Sequence, residues 1–243
     1  TKIVRGLSRG LVEIEYKDYI ATENSAKRDT ILSKAVLATE TTCNVFQLLA
    51  HNGVPTHFVC DCDEWTFWAL QVEMISLEVV VRRIATGSYL QRHPNIVEGS
   101  VFKSLVVEFF DKDHINHNPL VKLDFEANVV HRYAASKPLT EGYLDTQPLA
   151  ESHGVGLSSA TMAELEETVR RCFLVLESAW AKQNVSLADL KVECGVTSTG
   201  RIVVADAIDN DSWNLWTRSD SAPIRDKQSH EWVATATRQF LAS

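Results

Sequence analysis

The chain has 243 residues, enough for one large domain or two small lobes around a cleft. Its 32 acidic residues outnumber its 24 lysines and arginines, and the resulting net charge of −8 argues against general nucleic-acid binding, which needs a basic surface. No apolar run approaches the roughly 20 residues that cross a bilayer, and the first residues lack the apolar segment of a secretory signal. We therefore expect a cytoplasmic protein with no nucleic-acid or membrane partner.

The first half of the sequence is rich in predicted strands. Alternating apolar residues predict two strands within residues 2–20, and the apolar positions from about Lys34 to Asn52 predict an amphipathic helix that ends at Gly53. Three more strands are predicted in segments 56–62, 65–75 and 77–86, and Leu105 to Phe110 forms the next. Strands interrupted by a single helix are typical of a small nucleotide-binding lobe.

Residues 111–159 show no sustained periodicity, and we predict loops with one short helix there. Such a segment is a candidate lid or oligomer surface, and the choice between a monomer and a homo-oligomer stays open. The four histidines of this segment have no i, i+4 spacing, so exposed loop positions are favoured over metal ligation. The five cysteines form no Cys-x-x-Cys pair, which favours reduced thiols over a zinc site.

The second half contains the clearest helix and a hairpin. Ser159 to Gln183 carries an apolar stripe at helical spacing, and Thr161 with Glu164 predicts a capping box at its start. Segments 188–195 and 201–206 predict two strands joined by a turn at Thr199-Gly200. A last helix is predicted from about residue 231 to residue 241.

The hairpin gathers side chains that suit a magnesium–nucleotide complex. Lys191 and Glu193 share one face of the first strand, and Asp206 ends the second, so pairing of the two strands would bring them together. Carboxylates bind a hard cation, and an ammonium group neutralises phosphate. A solvated salt-bridge face has the same spacing, and the spacing alone does not separate the two interpretations.

A second polar set follows the buried run 79–81. Arg82 and Arg83 precede the turn Thr86-Gly87-Ser88, and arginines next to a flexible turn are a candidate anion cradle. Two further loops, 24–28 and 225–229, carry basic or mixed charges, a pattern more typical of surface than of a site.

Several motifs taken together resemble one known family. They are TKIV at the start, Lys27-Arg28-Asp29, GVPTHF, EMISLEVVVRRIATGSYLQR, DLKVECG, VVADAIDNDSW and DKQS, and they span nearly the whole chain. In this order they resemble the SAICAR synthetase family of purine-pathway ligases. The resemblance implies an α+β fold of two lobes with ATP in the cleft between them, distantly like kinase and ATP-grasp folds. We divide the chain into a nucleotide-binding lobe, 1–78, and a second lobe, 79–243.

The resemblance also implies a reaction and a set of site residues. The family is an ATP-dependent carbon–nitrogen ligase that phosphorylates a carboxylate and then forms an amide with an amine. By position, the implied catalytic residues are Lys191 and Asp206, and the implied magnesium ligands are Glu193 and Asp206. The implied ATP-binding residues are Lys2, Glu73, Met74, Lys112 and Glu193. The implied substrate-binding residues are Asn24, Lys27, Arg82, Ser88, Asp211, Asn214, Asp226 and Lys227.

Some positions depart from the family pattern. The family's Ala-Gly-Asn reads Thr22-Glu23-Asn24, and Lys112 fits its lysine only with a shift of one residue. Asn214 replaces an arginine that resembles a ligand of the ribotide 5′-phosphate, and His230-Glu231 replaces Tyr-Arg.

The departures bear on the substrate. Each charge-assisted phosphate contact contributes about 1.5–3 kcal/mol, so the loss of two cations predicts a diverged carboxylate substrate joined to an amino-acid amine. The alternatives are the ordinary purine reaction, an inactive nucleotide-binding partner protein and a small-molecule kinase.

Overall fold

The computed structural model describes residues 2–21, 28–30, 33–149, 158–217, 222–223 and 229–241. Its helices are α1 Lys34–His51, α2 Ser88–Arg92, α3 Ser159–Lys182 and α4 Ser229–Arg238. Its strands are β1 Lys2–Gly6, β2 Leu11–Tyr16, β3 Tyr19–Ala21, β4 Arg28–Thr30, β5 Phe58–Asp61, β6 Thr66–Leu70, β7 Glu73–Ile84, β8 Val101–Asp111, β9 Leu120–Asp124, β10 Val129–Tyr133, β11 Asp145–Pro148, β12 Val185–Val196, β13 Ile202–Ala205, β14 Trp213–Thr217 and β15 Ala222–Pro223. None of the helices within these ranges is long and apolar enough to cross a membrane.

A small antiparallel sheet contains the N-terminal strands. Within the described residues it has four strands in the order β1-β2-β6-β5, while β3 pairs with β4 separately. Ile14 and Tyr16 alternate toward its buried side, where Phe46 of α1 packs against Phe67 of β6. The predicted helix ending at Gly53 is therefore confirmed, and it covers one face of this sheet.

A larger antiparallel sheet forms the centre of the molecule. Its nine strands, counted within the described ranges, run β11-β10-β9-β8-β7-β12-β14-β15, and β13 pairs with β12. The two long central strands, β7 and β12, direct Val79, Val81, Leu190 and Val192 toward one buried face. The apolar stripe of α3 packs against this face, as α3 contacts both strands. The residues that alternate with these point to the opposite face, which is available for polar chemistry.

Two predicted details of the elements are wrong. The N-cap of α3 is Ser158 rather than Thr161, because the Ser158 Oγ accepts the Thr161 backbone N–H at 3.0 Å. β7 also runs without a break through Ser76, where separate strands were predicted. The lobe boundary after residue 78 falls inside this strand, and the division into two lobes stays a prediction.

The prediction of loops for residues 111–159 is also wrong. Strands β9, β10 and β11 form a meander at the edge of the large sheet. Their apolar alternation is short and is interrupted by turn residues such as Asp124 and Asn128, so no sequence period stands out. β14 likewise went unpredicted, because its five residues follow a turn directly.

Gly195 is required where β12 crosses the start of β7. A Cβ at this position would lie 2.9 Å from the Val72 Cβ and 3.2 Å from the Glu73 carbonyl oxygen. We expect Gly195→Ala to lower the free energy of unfolding by about 1–3 kcal/mol through overpacking, measured by urea denaturation. Gly6→Ala is the control, since nothing lies within 4 Å of a Cβ there. Equal effects of the two substitutions would contradict this explanation.

Candidate active site

The polar face of the large sheet carries a row of charged side chains. Glu78 of β7 lies directly opposite Glu193 of β12 in the antiparallel register. Two carboxylates facing each other across strands repel unless cations separate them. The Lys191 Nζ lies 3.5 Å from the Glu78 Oε1, and the Lys112 Nζ donates to the Glu193 Oε2. Two lysines thus neutralise two carboxylates on one partly exposed surface.

Lys112 reaches Glu193 because of where β8 ends. It follows directly after β8, which pairs with β7, and Glu78 lies opposite Phe110 in that register. Its backbone N–H donates to the Ser76 carbonyl oxygen at 3.4 Å. Lys112 matches the family lysine only with a shift of one residue, and its side chain still contacts Glu193, a predicted ATP-binding residue.

Asp206 lies just beyond β13, next to the strand that carries Glu193. In the β12–β13 hairpin, Ala205 is the partner of Glu193, so the predicted hairpin is confirmed and the two carboxylates lie at neighbouring strand positions. Asp206 has a φ of 58°, in the left-handed region that non-glycine residues seldom adopt. Both of its carboxylate oxygens accept from the Lys2 Nζ at 2.7 Å. Lys2 thus brings the edge strand of the small sheet to the hairpin of the large one.

His57 contacts the same residue from the interior. Its Nε2 lies 3.1 Å from the Asp206 carbonyl oxygen, and only 3% of the residue is exposed. Burial lowers the pKa of this imidazole to about 4, so the ring is neutral at physiological pH. A carbonyl oxygen can only accept, so Nε2 carries the proton of the neutral ring.

Asp189 lies two residues before Lys191 on the polar face of β12 and accepts several hydrogen bonds. It accepts from the Arg82 Nη1 at 3.0 Å, the Thr86 Oγ1 at 2.6 Å and the Asn214 Nδ2 at 2.8 Å. Arg82 is 5% exposed, and its Nε donates to the buried Glu108. The guanidinium predicted to bind the carboxylate-bearing substrate is thus engaged with two internal carboxylates, and its direct contact with substrate stays a prediction.

The remaining predicted residues that the structure describes lie on several different elements. Asp211, in the turn before β14, pairs with the Lys34 Nζ at 2.6 Å, and the half-buried Ser88 opens α2 after the Thr86-Gly87 turn. Glu73 and Met74 begin β7, and Glu73 lines a pocket of about 570 Å³ between the two sheets. Asn24, Lys27, Asp226 and Lys227 lie outside the described residues, and their roles stay predictions.

Two residues that contact the predicted site residues were not predicted from the sequence, Glu78 and the buried His57. Glu78 was read as part of a buried strand, although an acidic residue within such an apolar run is a signal in itself. His57 entered the sequence analysis only as part of the GVPTHF motif. Nothing in the neighbouring sequence indicates that its ring contacts a residue 149 positions later in the chain.

Comparisons with known proteins show which family the chain belongs to. The SAICAR synthetase family profile matches residues 7–240. A phosphoribosylaminoimidazole-succinocarboxamide synthase of Herpetosiphon aurantiacus is 37% identical over 96% of this chain and 84% of its own length. One of Roseiflexus castenholzii is 38% identical over 95% and 83%. The human bifunctional carboxylase/succinocarboxamide synthetase is 38% identical over 96% of this chain, which spans 51% of that protein.

Solved structures show the same fold. SAICAR synthetase from Pyrococcus horikoshii aligns with a TM-score of 0.75 at 22% identity, covering 99% of this chain and 96% of that one. A SAICAR synthetase in complex with ADP also gives a TM-score of 0.75 at 22% identity, covering 99% and 93%. The predicted α+β fold is confirmed.

The fold and the matches define an ATP-binding ligase that forms a carbon–nitrogen bond. Within that class, the chain belongs to the SAICAR synthetase family.

Proposed function

We propose that this protein joins the carboxylate of the 5-aminoimidazole-4-carboxylate ribotide to the amine of L-aspartate, with ATP as the energy source. The observation that carries the proposal is the similarity, over 95–96% of the chain, to bacterial enzymes named for the succinocarboxamide product. It favours the purine reaction over the diverged carboxylate that the departures from the family pattern predicted. The cytoplasmic location expected from the sequence goes with this proposal.

The chemistry requires activation of the carboxylate. A carboxylate is a poor electrophile, because its charge repels a nucleophile and its oxygen is a poor leaving group. Transfer of the γ-phosphoryl group of ATP to a carboxylate oxygen gives an acyl phosphate and ADP. The aspartate nitrogen then attacks the carbonyl carbon, inorganic phosphate leaves, and the nitrogen loses a proton to give the amide. The protein contributes alignment of the reactants and neutralisation of phosphoryl charge.

Three lysines that pair with carboxylate side chains fit these tasks. Lys2 and Lys112 are held by the Asp206 and Glu193 carboxylates, and we assign them to the phosphates of ATP. The side chain of Lys191 is 47% exposed, and we assign it to the reacting carboxylate. Its backbone N–H donates to the Ser212 carbonyl oxygen at 2.7 Å, which ties the Asp211 turn to β12.

Glu193 and Asp206 fit a magnesium ion. No group of three His, Cys, Asp or Glu side chains suited to a metal occurs in the described part of the chain. Magnesium on a nucleotide needs only one or two protein carboxylates, since phosphate oxygens and water complete its shell. When bound, the ion would neutralise phosphate charge, and these two side chains, partly exposed at neighbouring strand positions, would hold it.

We assign the ribotide phosphate to cationic side chains elsewhere in the chain, because residue 214 is not a cation. Asn214 is neutral, and its amide nitrogen is engaged with both oxygens of Asp189 at 2.8 and 3.0 Å. We assign the phosphate to Arg218 or Arg225, which lie outside the described residues.

The test is a direct assay. The protein is incubated with ATP, Mg²⁺, L-aspartate and the ribotide, and succinocarboxamide and ADP are quantified by chromatography and mass spectrometry. A parallel reaction uses the riboside, which lacks the 5′-phosphate, and a third omits aspartate. Product from the ribotide supports the proposal. Turnover of the riboside in preference to the ribotide would establish a diverged carboxylate instead. ADP release without amine use would indicate a kinase, and nucleotide binding without any turnover would indicate an inactive partner protein.

A further inference from the structure

The backbone of Asp206 adopts an unusual conformation and contacts a residue outside its own hairpin. Its φ of 58° places it in the left-handed region, which costs a non-glycine residue about 1 kcal/mol or more and persists only where surrounding contacts maintain it. The preceding strand, β13, ends at Ala205. The direction of the Asp206 carboxylate therefore depends on whatever fixes this turn.

Residues 55–57 provide that contact. They run parallel to β13, with a bridge between Thr56 and Val204. The Val204 N–H donates to the Pro55 carbonyl oxygen at 2.9 Å, and the His57 N–H donates to the Val204 carbonyl oxygen at 2.9 Å. These two hydrogen bonds place His57 beside the end of β13, where its ring can reach the next carbonyl group.

The imidazole completes this contact. The Nε2–H of His57 donates to the Asp206 carbonyl oxygen at 3.1 Å. The ring is fixed by edge contacts with Phe46 and Phe67, whose centroids lie 5.4 and 6.2 Å away. The His57 carbonyl oxygen accepts the Leu70 N–H at 2.7 Å, which ties the same residue to the small sheet. His57 thus contacts a buried aromatic cluster, both sheets and the backbone of the candidate metal carboxylate.

We propose that His57 is a positioning residue that holds the left-handed backbone of Asp206 and so directs its carboxylate toward Lys2 and the magnesium–nucleotide complex. The inference rests on the role of Asp206 in the proposed function. Loss of the imidazole donor would leave a partly buried carbonyl group without this hydrogen bond, and the turn would relax toward a common conformation. The carboxylate would then point away from the cation, while the aspartate substrate site stays unchanged.

The decisive variants are His57→Gln and His57→Met. The two side chains have nearly the same shape, and the glutamine Nε2 is separated from Cα by the same number of bonds as the imidazole Nε2. Glutamine therefore keeps a donor where methionine has none. Phe46→Leu is the packing control, because it disturbs the ring that touches His57 without removing the hydrogen bond.

The readout is ADP affinity by calorimetry, with and without Mn²⁺ as a magnesium substitute. Partners that orient metal ligands typically contribute 10- to 100-fold in metal affinity, so His57→Met should weaken Mn²⁺-dependent ADP binding at least about tenfold. Affinity for ADP without the metal should stay within about twofold. His57→Gln should recover most of the loss, and Phe46→Leu should lower the melting temperature only. In steady-state assays, KM for ATP should rise in His57→Met, while KM for L-aspartate stays constant.

Two results would overturn the inference. One is equal metal-dependent affinity in His57→Gln and His57→Met. The other is a metal-dependent loss in Phe46→Leu as large as that in His57→Met, which would show a packing effect. If His57→Met does not fold, His57→Phe replaces it, since it keeps an aromatic ring and lacks the donor. If the wild-type protein binds Mn²⁺ and ADP but does not consume the ribotide, the proposed reaction is refuted. The binding measurements on the variants would still decide the role of His57.

Discussion

The Asp206→Asn variant is expected to lose at least about 100-fold in kcat/KM for ATP while it keeps its fold. Groups that only orient metal ligands contribute 10- to 100-fold, and a direct carboxylate ligand should contribute no less. Asparagine tolerates the left-handed φ of 58° at this position, so the backbone need not change. The ion pair with Lys2 is partly exposed, so its loss should cost less than about 1 kcal/mol of stability.

The measurement combines steady-state kinetics with thermal unfolding. Asp145→Asn is the matched control, because Asp145 is a half-exposed carboxylate that pairs with Arg132 at 3.2 Å on the edge meander. The control should keep its activity within about twofold. Near-normal turnover in Asp206→Asn would refute the assignment of Asp206 to the magnesium–nucleotide complex.

The Glu108→Gln variant is expected to show the largest loss of stability. Glu108 accepts from the Arg82 Nε at 2.8 Å and from the Arg92 Nη2 at 2.7 Å, and all three residues are less than 10% exposed. Neutralising it leaves two buried guanidinium groups with one fewer anion between them. Breaking a buried ion pair in this way costs about 3–5 kcal/mol, to be measured as the free energy of unfolding in urea.

The same substitution on the surface provides the comparison. Glu166→Gln removes an i, i+4 pair with Arg170 on α3, where the carboxylate is 41% exposed. Exposed helix pairs contribute about 0.3–0.5 kcal/mol, so this variant should unfold almost like the wild type. If Glu108→Gln cost no more than Glu166→Gln, the buried pairs would have no special energetic role. Glu108→Gln could also lose more activity than its loss of folded protein explains. That result would show that the buried ion pairs act on the site as well, since Arg82 and Asp189 link Glu108 to Asn214.

Elements with strong local patterns were predictable from the sequence. The helix α3 has an apolar stripe over about five turns, and the β12–β13 hairpin combines alternation with a Thr-Gly turn. The pairing that places Asp206 next to Ala205, the partner of Glu193, followed from the same signals. The edge meander β9–β11 was not predictable, since short strands with one exposed face leave little apolar periodicity.

Contacts between distant segments limited the prediction of the site. Glu78 faces Glu193 only because β7 pairs with β12, and His57 reaches Asp206 only because residues 55–57 lie beside β13. Arg82 follows a buried run, but its burial depends on carboxylates 26 and 107 positions away along the chain. Sequence spacing indicated candidate site residues, and it could not show how these residues contact one another.

Three tryptophans, one of which follows the Asp211 turn, provide an intrinsic spectroscopic probe. The Trp180 ring lies 5.3 Å from Trp213 and 5.7 Å from Trp232, measured between centroids, so three indoles from α3, β14 and α4 interact directly. Trp213 is buried on β14, while the next residue, Asn214, turns to the polar face. A shift of β14 that accompanies ligand binding would change indole–indole coupling. Near-ultraviolet circular dichroism and intrinsic fluorescence can therefore follow the site without an added label.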